Sequence, residues 1–148
     1  MIKVSKLREL IEAFTQKDQA FLVRTESEMQ QRIKDVDGWL LVMVIPSSDT
    51  RAFNSDNISE DEQAIVYIVK QRIESDTDYD DMVANCEEAQ LRMAAFKLYL
   101  YDISQSHEHP LHEICKQIDF NTFHTDPEYN YMGCDGYSLS FVLKTNWF

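Results

Sequence analysis

The densest set of metal-ligand side chains in the sequence is His107-x-His109-x-x-His112-x-x-Cys115. Zinc needs three or four such ligands converging tetrahedrally, each oriented by a second partner. On a helix, His112 and Cys115 would share a face. Pro110 instead forces His109 toward an extended backbone, which breaks the helical spacing. No His-Glu-x-x-His and no Cys-x-x-Cys accompanies them. His109, His112 and Cys115 are the candidate ligands, and the expectation is a solvated loop without a metal or other cofactor.

A second constellation is Asp76-x-Asp78-x-Asp80, followed by Val83 and Glu87. Acids stand where a calcium-binding EF-hand loop would place them, at its first, third, fifth and twelfth positions. That loop turns sharply at its sixth position, which requires Gly, and this chain has Asp81 there. The alternative is an acid-rich helix start, where carboxylates meet free N–H groups and the positive end of the helix dipole.

Nucleophilic catalysis finds no setting. Ser138 and Ser140 fall in a regular alternating pattern, not in a sharp strand-to-helix elbow. Cys86 falls on an apolar helical stripe and is expected to pack inside. Cys134 lies between Gly133 and Asp135 in a turn and is expected to be the exposed thiol. An adjacent carboxylate raises a thiol pKa, which disfavours the reactive thiolate. Gly133-x-x-Gly136 is too sparse to cradle a phosphate and precedes a strand. No catalytic residue is assigned.

Composition sets the frame for these residues. A chain of 148 residues is near the commonest domain size and buries a core, so one domain over 1–148 is expected. With 44% hydrophobic residues it is not a disordered chain. The longest apolar run, Trp39 to Ile45, ends at Pro46 and falls short of the roughly 18 residues that span a bilayer. Met1-Ile-Lys-Val-Ser-Lys6 is followed by no apolar core, so no secretory signal is expected. Three cysteines without motif spacing suit reduced thiols in a cytoplasmic compartment. The 14 basic residues are scattered among 26 acids, giving a net charge of −12. Nucleic acid and anionic membranes both attract clustered Lys and Arg, so neither is an expected partner.

The elements that would position these residues can be read in order. Val4, Leu7, Leu10, Ile11 and Phe14 predict a helix. Phe21-Leu-Val23 suits a brief strand. Thr25-Glu-Ser-Glu28 fits a capping box ahead of a short helix with Met29, Ile33 and Val36 on its apolar side, ended by Asp37-Gly38. Trp39 to Ile45 and Ala64 to Val69 predict buried strands, the second continuing through Ile73. Between them, Pro46 to Asn57 reads as the longest loop, polar apart from Phe53.

Met82, Cys86, Ala89, Met93, Phe96, Leu100 and Ile103 step by fours and threes along one face of a long helix. Leu91 and Leu98 widen that stripe. The pattern fits a coiled-coil seam or, in a chain with strands, packing on a sheet. Leu111 to Gln117 reads as a helical turn, and Ile118, Phe120 and Thr122 as a strand. A turn is expected across Asp126 to Asn130 and again at Gly133 to Gly136. Tyr137, Leu139, Phe141 and Leu143 alternate with polar residues in a closing strand. Trp147-Phe148 is expected to pack on the domain or on a neighbour. The fold class is α+β: an antiparallel or mixed sheet of about four strands in two hairpins. The long amphipathic helix and the N-terminal helices are expected on one face.

The stretch from Ile65-Val-Tyr-Ile-Val69 through the long helix is one part of a family resemblance. Ile118-Asp-Phe120 and Asn130-Tyr-Met-Gly-Cys-Asp-Gly-Tyr-Ser-Leu-Ser-Phe-Val-Leu-Lys144 are the others. Together they resemble small tail-completion or tail-terminator (head–tail connector) proteins of tailed phages and prophages. In these a strand hairpin, a helix and a closing amphipathic strand recur. The closing Gly136-Tyr-Ser-Leu-Ser-Phe141 matches best, and Met1 to Val36 matches least. The resemblance implies neither catalysis nor a cofactor. It implies a homo-oligomer, a ring that meets other tail or connector proteins. Two other classes stay open on the residues alone: an acidic inhibitor or immunity-type protein for a basic partner, and a metal-dependent enzyme using the His107–Cys115 segment.

Overall fold

A computed structural model describes residues 1–33, 36–54, 57–72 and 78–146. Helix α1 (Val4–Phe14) forms because Leu7, Leu10 and Ile11 share one face, and all three are buried. Strand β1 (Ala20–Val23) and helix α2 (Glu26–Ile33) follow. Strands β2 (Trp39–Asn54) and β3 (Asn57–Gln71) form a long antiparallel hairpin. Helix α3 (Tyr79–Gln105) and the single turn α4 (His112–Cys115) lead to a second hairpin, β4 (Ile118–Tyr131) and β5 (Cys134–Asn146).

The strand order is β1-β2-β3-β5-β4, and β1 alone runs parallel to its neighbour. The fold is thus α+β with a mixed sheet built on two hairpins. The brief β1 makes five strands in place of about four. At four residues it is too short to show a period in the sequence.

Both sheet faces are covered, not one. Helices α1, α3 and α4 bury Leu7, Leu10, Phe96, Leu100 and Ile114 with Leu41, Met43, Val66, Ile68, Leu139 and Phe141. Helix α2 lies on the other face, where Met29 and Ile33 join Val23, Leu40, Val42, Tyr67 and Val69. Leu40-Leu-Val-Met43 is apolar on alternate sides of β2, so both sides need cover. The Tyr67 hydroxyl donates to Glu26 at 2.9 Å and stacks on Tyr131 at 5.1 Å, which ties α2 to the sheet.

The stretch expected as the longest loop is instead strand. β2 passes a register shift between Val44 and Ser47, which admits Pro46, and pairs with β3 out to Asn54↔Asn57. Its Ser, Thr and Asn residues carry no hydrophobic period, but the ladder satisfies their backbone. β4 likewise runs through Asp126–Asn130, and the turn narrows to Met132 and Gly133, at φ 53° and 79°. A Cβ at Gly136 would overlap the Ile68 carbonyl of β3, so only glycine lets β5 approach this closely. The expected continuation to Ile73 and the packing of Trp147 and Phe148 lie outside the described residues.

On α3, Ala89, Met93, Phe96, Leu100 and Ile103 are buried against the sheet and α1, which settles the stripe as sheet packing. Phe14 meets Phe96 edge-on at 5.1 Å, and the Tyr99 hydroxyl donates to the Leu10 carbonyl at 2.8 Å. Leu91 and Leu98 do not widen the buried stripe; they are 68% and 59% exposed on the outer side.

Candidate functional site

The stripe of α3 also fails at its front. Met82 is exposed and Cys86 is half-buried, because the first turns of α3 stand off the sheet. The gap is a cleft of about 390 Å³. Trp39 enters it from the start of β2, Lys70 from the end of β3, Arg72 from just beyond that strand, Glu128 and Tyr129 from β4 and Asp135 from β5. Tyr79, Met82 and Cys86 close it from α3.

Strand register explains the gathering. Trp39 pairs with Lys70, and Lys70 pairs with Asp135, so β2, β3 and β5 end side by side. Arg72 is held in place: it donates to the Tyr129 hydroxyl at 2.8 Å and lies 4.4 Å from that ring's centre. Its Nε is 3.8 Å from Asp135. Arg92, itself paired with Glu88 at 2.9 Å, covers the Trp39 ring at 5.2 Å. Tyr79 and Tyr129 are 72% and 71% exposed, so the rim presents aromatic surface to solvent. The aromatic walls suit recognition of an apolar or aromatic group, and the lining is mixed in charge, since Lys70 and Arg72 stand among Asp78, Glu128 and Asp135.

The acid run reads as a helix start. Asp78 is the N-cap of α3, its carboxylate accepts from the Asp80 N–H at 3.3 Å, and Asp80 and Asp81 fill the first turn. Asp76 lies outside the described residues, and Glu87 is on the helix.

The histidine segment closes the end of α3. His112 is buried, and its Nδ1 donates to the Ile103 carbonyl at 3.1 Å. His109 Nδ1 accepts from the Leu111 N–H at 3.0 Å, and the His107 ring lies 4.6 Å from that of His112. Cys115 is fully buried, and loss of solvation pushes its thiol up to about 12. Among the described residues, no three His, Cys, Asp or Glu side chains gather as a metal set. The segment is therefore buried in part, not the solvated loop expected; His112 and Cys115 belong to the core edge through α4.

The other two thiols exchange the places expected of them. Cys134 is buried beneath the sheet face that α2 covers, and burial, with Asp135 second, pushes its pKa up to about 11. Cys86 is the partly exposed one. Trp39, Lys70, Arg72, Tyr79 and Tyr129 were not singled out by spacing. The available signal was Lys70 and Arg72 two apart at the end of an apolar strand, one facing pair of cations in an acidic chain.

Neither known protein-family profiles nor curated proteins give a match to this sequence. Among the described residues, no helix is long and apolar enough to cross a membrane.

Proposed function

We propose that the chain is a non-catalytic subunit of the tail-completion or head–tail connector kind, acting in the cytoplasm by self-assembly into a ring with other tail proteins. The observation that carries this reading is the distal half of the first hairpin. β1 pairs with β2 over Leu41–Val44 alone. Beyond it, β2 from Ser47 to Asn54 pairs on one side with β3 and, among the described residues, with no strand on its other side. A free strand edge of this length is a template for another chain unless something covers it. Side chains from Ser47 to Ala52 are polar or small and mostly exposed, so burial in this copy does not account for a structured ribbon here.

The pKa values of Cys115, Cys134, Tyr99 and Tyr131 are all raised, chiefly by burial, which keeps each neutral and unreactive. A small subunit reaches a ring through contacts in which one patch meets a different patch on the next copy. Deleting the gene from the genome that carries it, followed by electron microscopy of the particles, tests the reading. Tails of irregular length, or heads and tails that fail to join, are expected. Normal infectious particles would contradict it.

A further inference from the structure

The outer edge of the distal ribbon carries an ordered pair of charges. Ser47 to Ala52 are all exposed, and Asp49 and Arg51 are the charged residues among them. Two apart on a strand, they share one face, with Thr50 on the other. Asp49 stands directly opposite Asp61 of β3. Like charges in that position destabilise a strand pair. Arg51 reaches Asp61, not Asp49, at 3.1 Å. Lys144 of β5 stands on the far side of Asp61 and pairs with Asp119 at 3.2 Å. Asp49 thus ends the row at the rim, with an acid on its inner side.

We infer that this edge of β2 pairs antiparallel with the same edge of a second copy, about a two-fold axis through Thr50. Such an axis is normal to the sheet and preserves its faces, so it passes through one residue of each copy. Centred on Asp49, it would set Asp49 against its own copy; centred on Arg51, it would set Arg51 against its own. Centred on Thr50, it sets each Asp49 opposite Arg51 of the other copy, Ser48 opposite Ala52, and Thr50 opposite Thr50. Opposite charges and paired threonines are both favourable cross-strand neighbours.

Across the joined sheets the row reads Lys144, Asp61, Asp49, then Arg51 of the other copy. The two acids are then flanked by cations on both sides. Glu60 stands opposite Thr50 on the other face, where it lies 2.8 Å from the Met1 ammonium. Charges on an edge strand commonly repel a further strand. Here their order admits one register and rejects its two neighbours. The paired stretch, Ser48 to Ala52, stops short of β1, which covers the same edge at Leu41 to Val44. A two-fold contact closes with two copies, so it adds a dimer to the ring proposed above and does not depend on it.

The test uses the full chain at physiological salt, where the net charge of −12 is screened beyond about 8 Å. Sedimentation equilibrium should show dimers. Asp49→Arg alone and Arg51→Asp alone should each weaken them about tenfold, since two opposite-charge pairs become like-charge pairs. An equimolar mixture of the two variants should associate again, because every charge then meets its opposite. A second measurement starts from Cys86→Ser, which removes the partly exposed thiol. Thr50→Cys places its thiols together at the axis, whereas Ser48→Cys leaves them about 13 Å apart. Diamide, which takes up the two thiol hydrogens, should link the first into covalent dimers and leave the second largely monomeric. Normal particles on gene deletion would remove the ring reading and leave this pair standing. Monomers throughout, a mixture no tighter than its separate components, or equal cross-linking at both positions would overturn the inference.

Discussion

The first hairpin has two halves made of the same two strands and held by different forces. In the proximal half, Leu40, Leu41, Val42 and Met43 pair with Val66, Tyr67, Ile68 and Val69, and all eight are buried between α2 on one face and α1 and α3 on the other. In the distal half, Ser47 to Ala52 pair with Ile58 to Gln63, and most of the β2 side is exposed. On the β3 side Glu60 and Glu62 are buried, at 4% and 3% exposed. Glu60 lies 2.8 Å from the ammonium of Met1, and Glu62 accepts from the Ile2 N–H at 2.9 Å. The proximal half is held by burial on both faces; the distal half is held by its ladder, by β5 pairing along the far side of β3 from Ser59 to Gln63, and by a local ionic clasp. A strand can therefore be continuous in backbone while changing from a core strand to an edge: beyond Val44 the outer side of β2 meets no strand among the described residues.

The sharpest way to break this contrast is to open the core beside the proximal half. Phe96 is fully buried against it, so Phe96→Ala should cost about 3–5 kcal/mol in chemical denaturation, through lost burial and a residual cavity. A loss under about 1 kcal/mol would show that the helix side of the hairpin is not its anchor. Gly136→Ala should come next, at about 1–3 kcal/mol, because the added carbon must displace the Ile68 carbonyl where β3 and β5 touch. An unchanged denaturation midpoint would mean that the strands part there without strain.

The buried thiols give a pH signature of the same packing. Burial holds Cys115 near 12 and Cys134 near 11 when folded. Unfolded thiols ionise near 8.5, so above that pH the unfolded chain has released protons that the folded chain keeps. Stability should be unaffected by these groups below about pH 8 and fall as pH rises toward 11, because the folded state binds more protons. Equal denaturation midpoints at low and high alkaline pH would place the thiols in water. The smallest effect belongs to the distal half. Thr50→Ala is exposed, and its stability should stay within about 0.5 kcal/mol of the parent. A loss like that of a core residue would erase the contrast.

Elements with one apolar face were legible in the sequence. The α3 stripe from Ala89 to Ile103 and the alternation of Leu139, Phe141 and Leu143 are both buried as read. The distal ribbon was not legible, because its stability comes from hydrogen bonds to β3, and backbone pairing leaves no hydrophobic period in Ser47-Ser-Asp-Thr50. The placement of α2 was hidden for another reason: Met29 and Ile33 show that a face is buried but not which side of the sheet receives it. Half of the cleft was hidden too. Met82 and Cys86 continue the stripe without a break in spacing, and nothing local says that the sheet beneath them ends. His112 and Cys115 were visible as ligand types, while their burial with Ile103 and Ile114 depends on how α4 folds back on α3.

The central claim, that the distal ribbon serves contact between copies and not the fold, has one direct test. Thr50 and Glu60 face each other across the ladder, so residues 51–59 can be replaced by Asn-Gly, a two-residue turn suited to an antiparallel pair. The full chain and the shortened chain are then compared by sedimentation equilibrium in high salt, with thermal melts in parallel. The account predicts multimers for the full chain, monomers for the shortened one, and a cooperative melt for both. Identical association of the two chains, or a shortened chain that no longer folds, would contradict it.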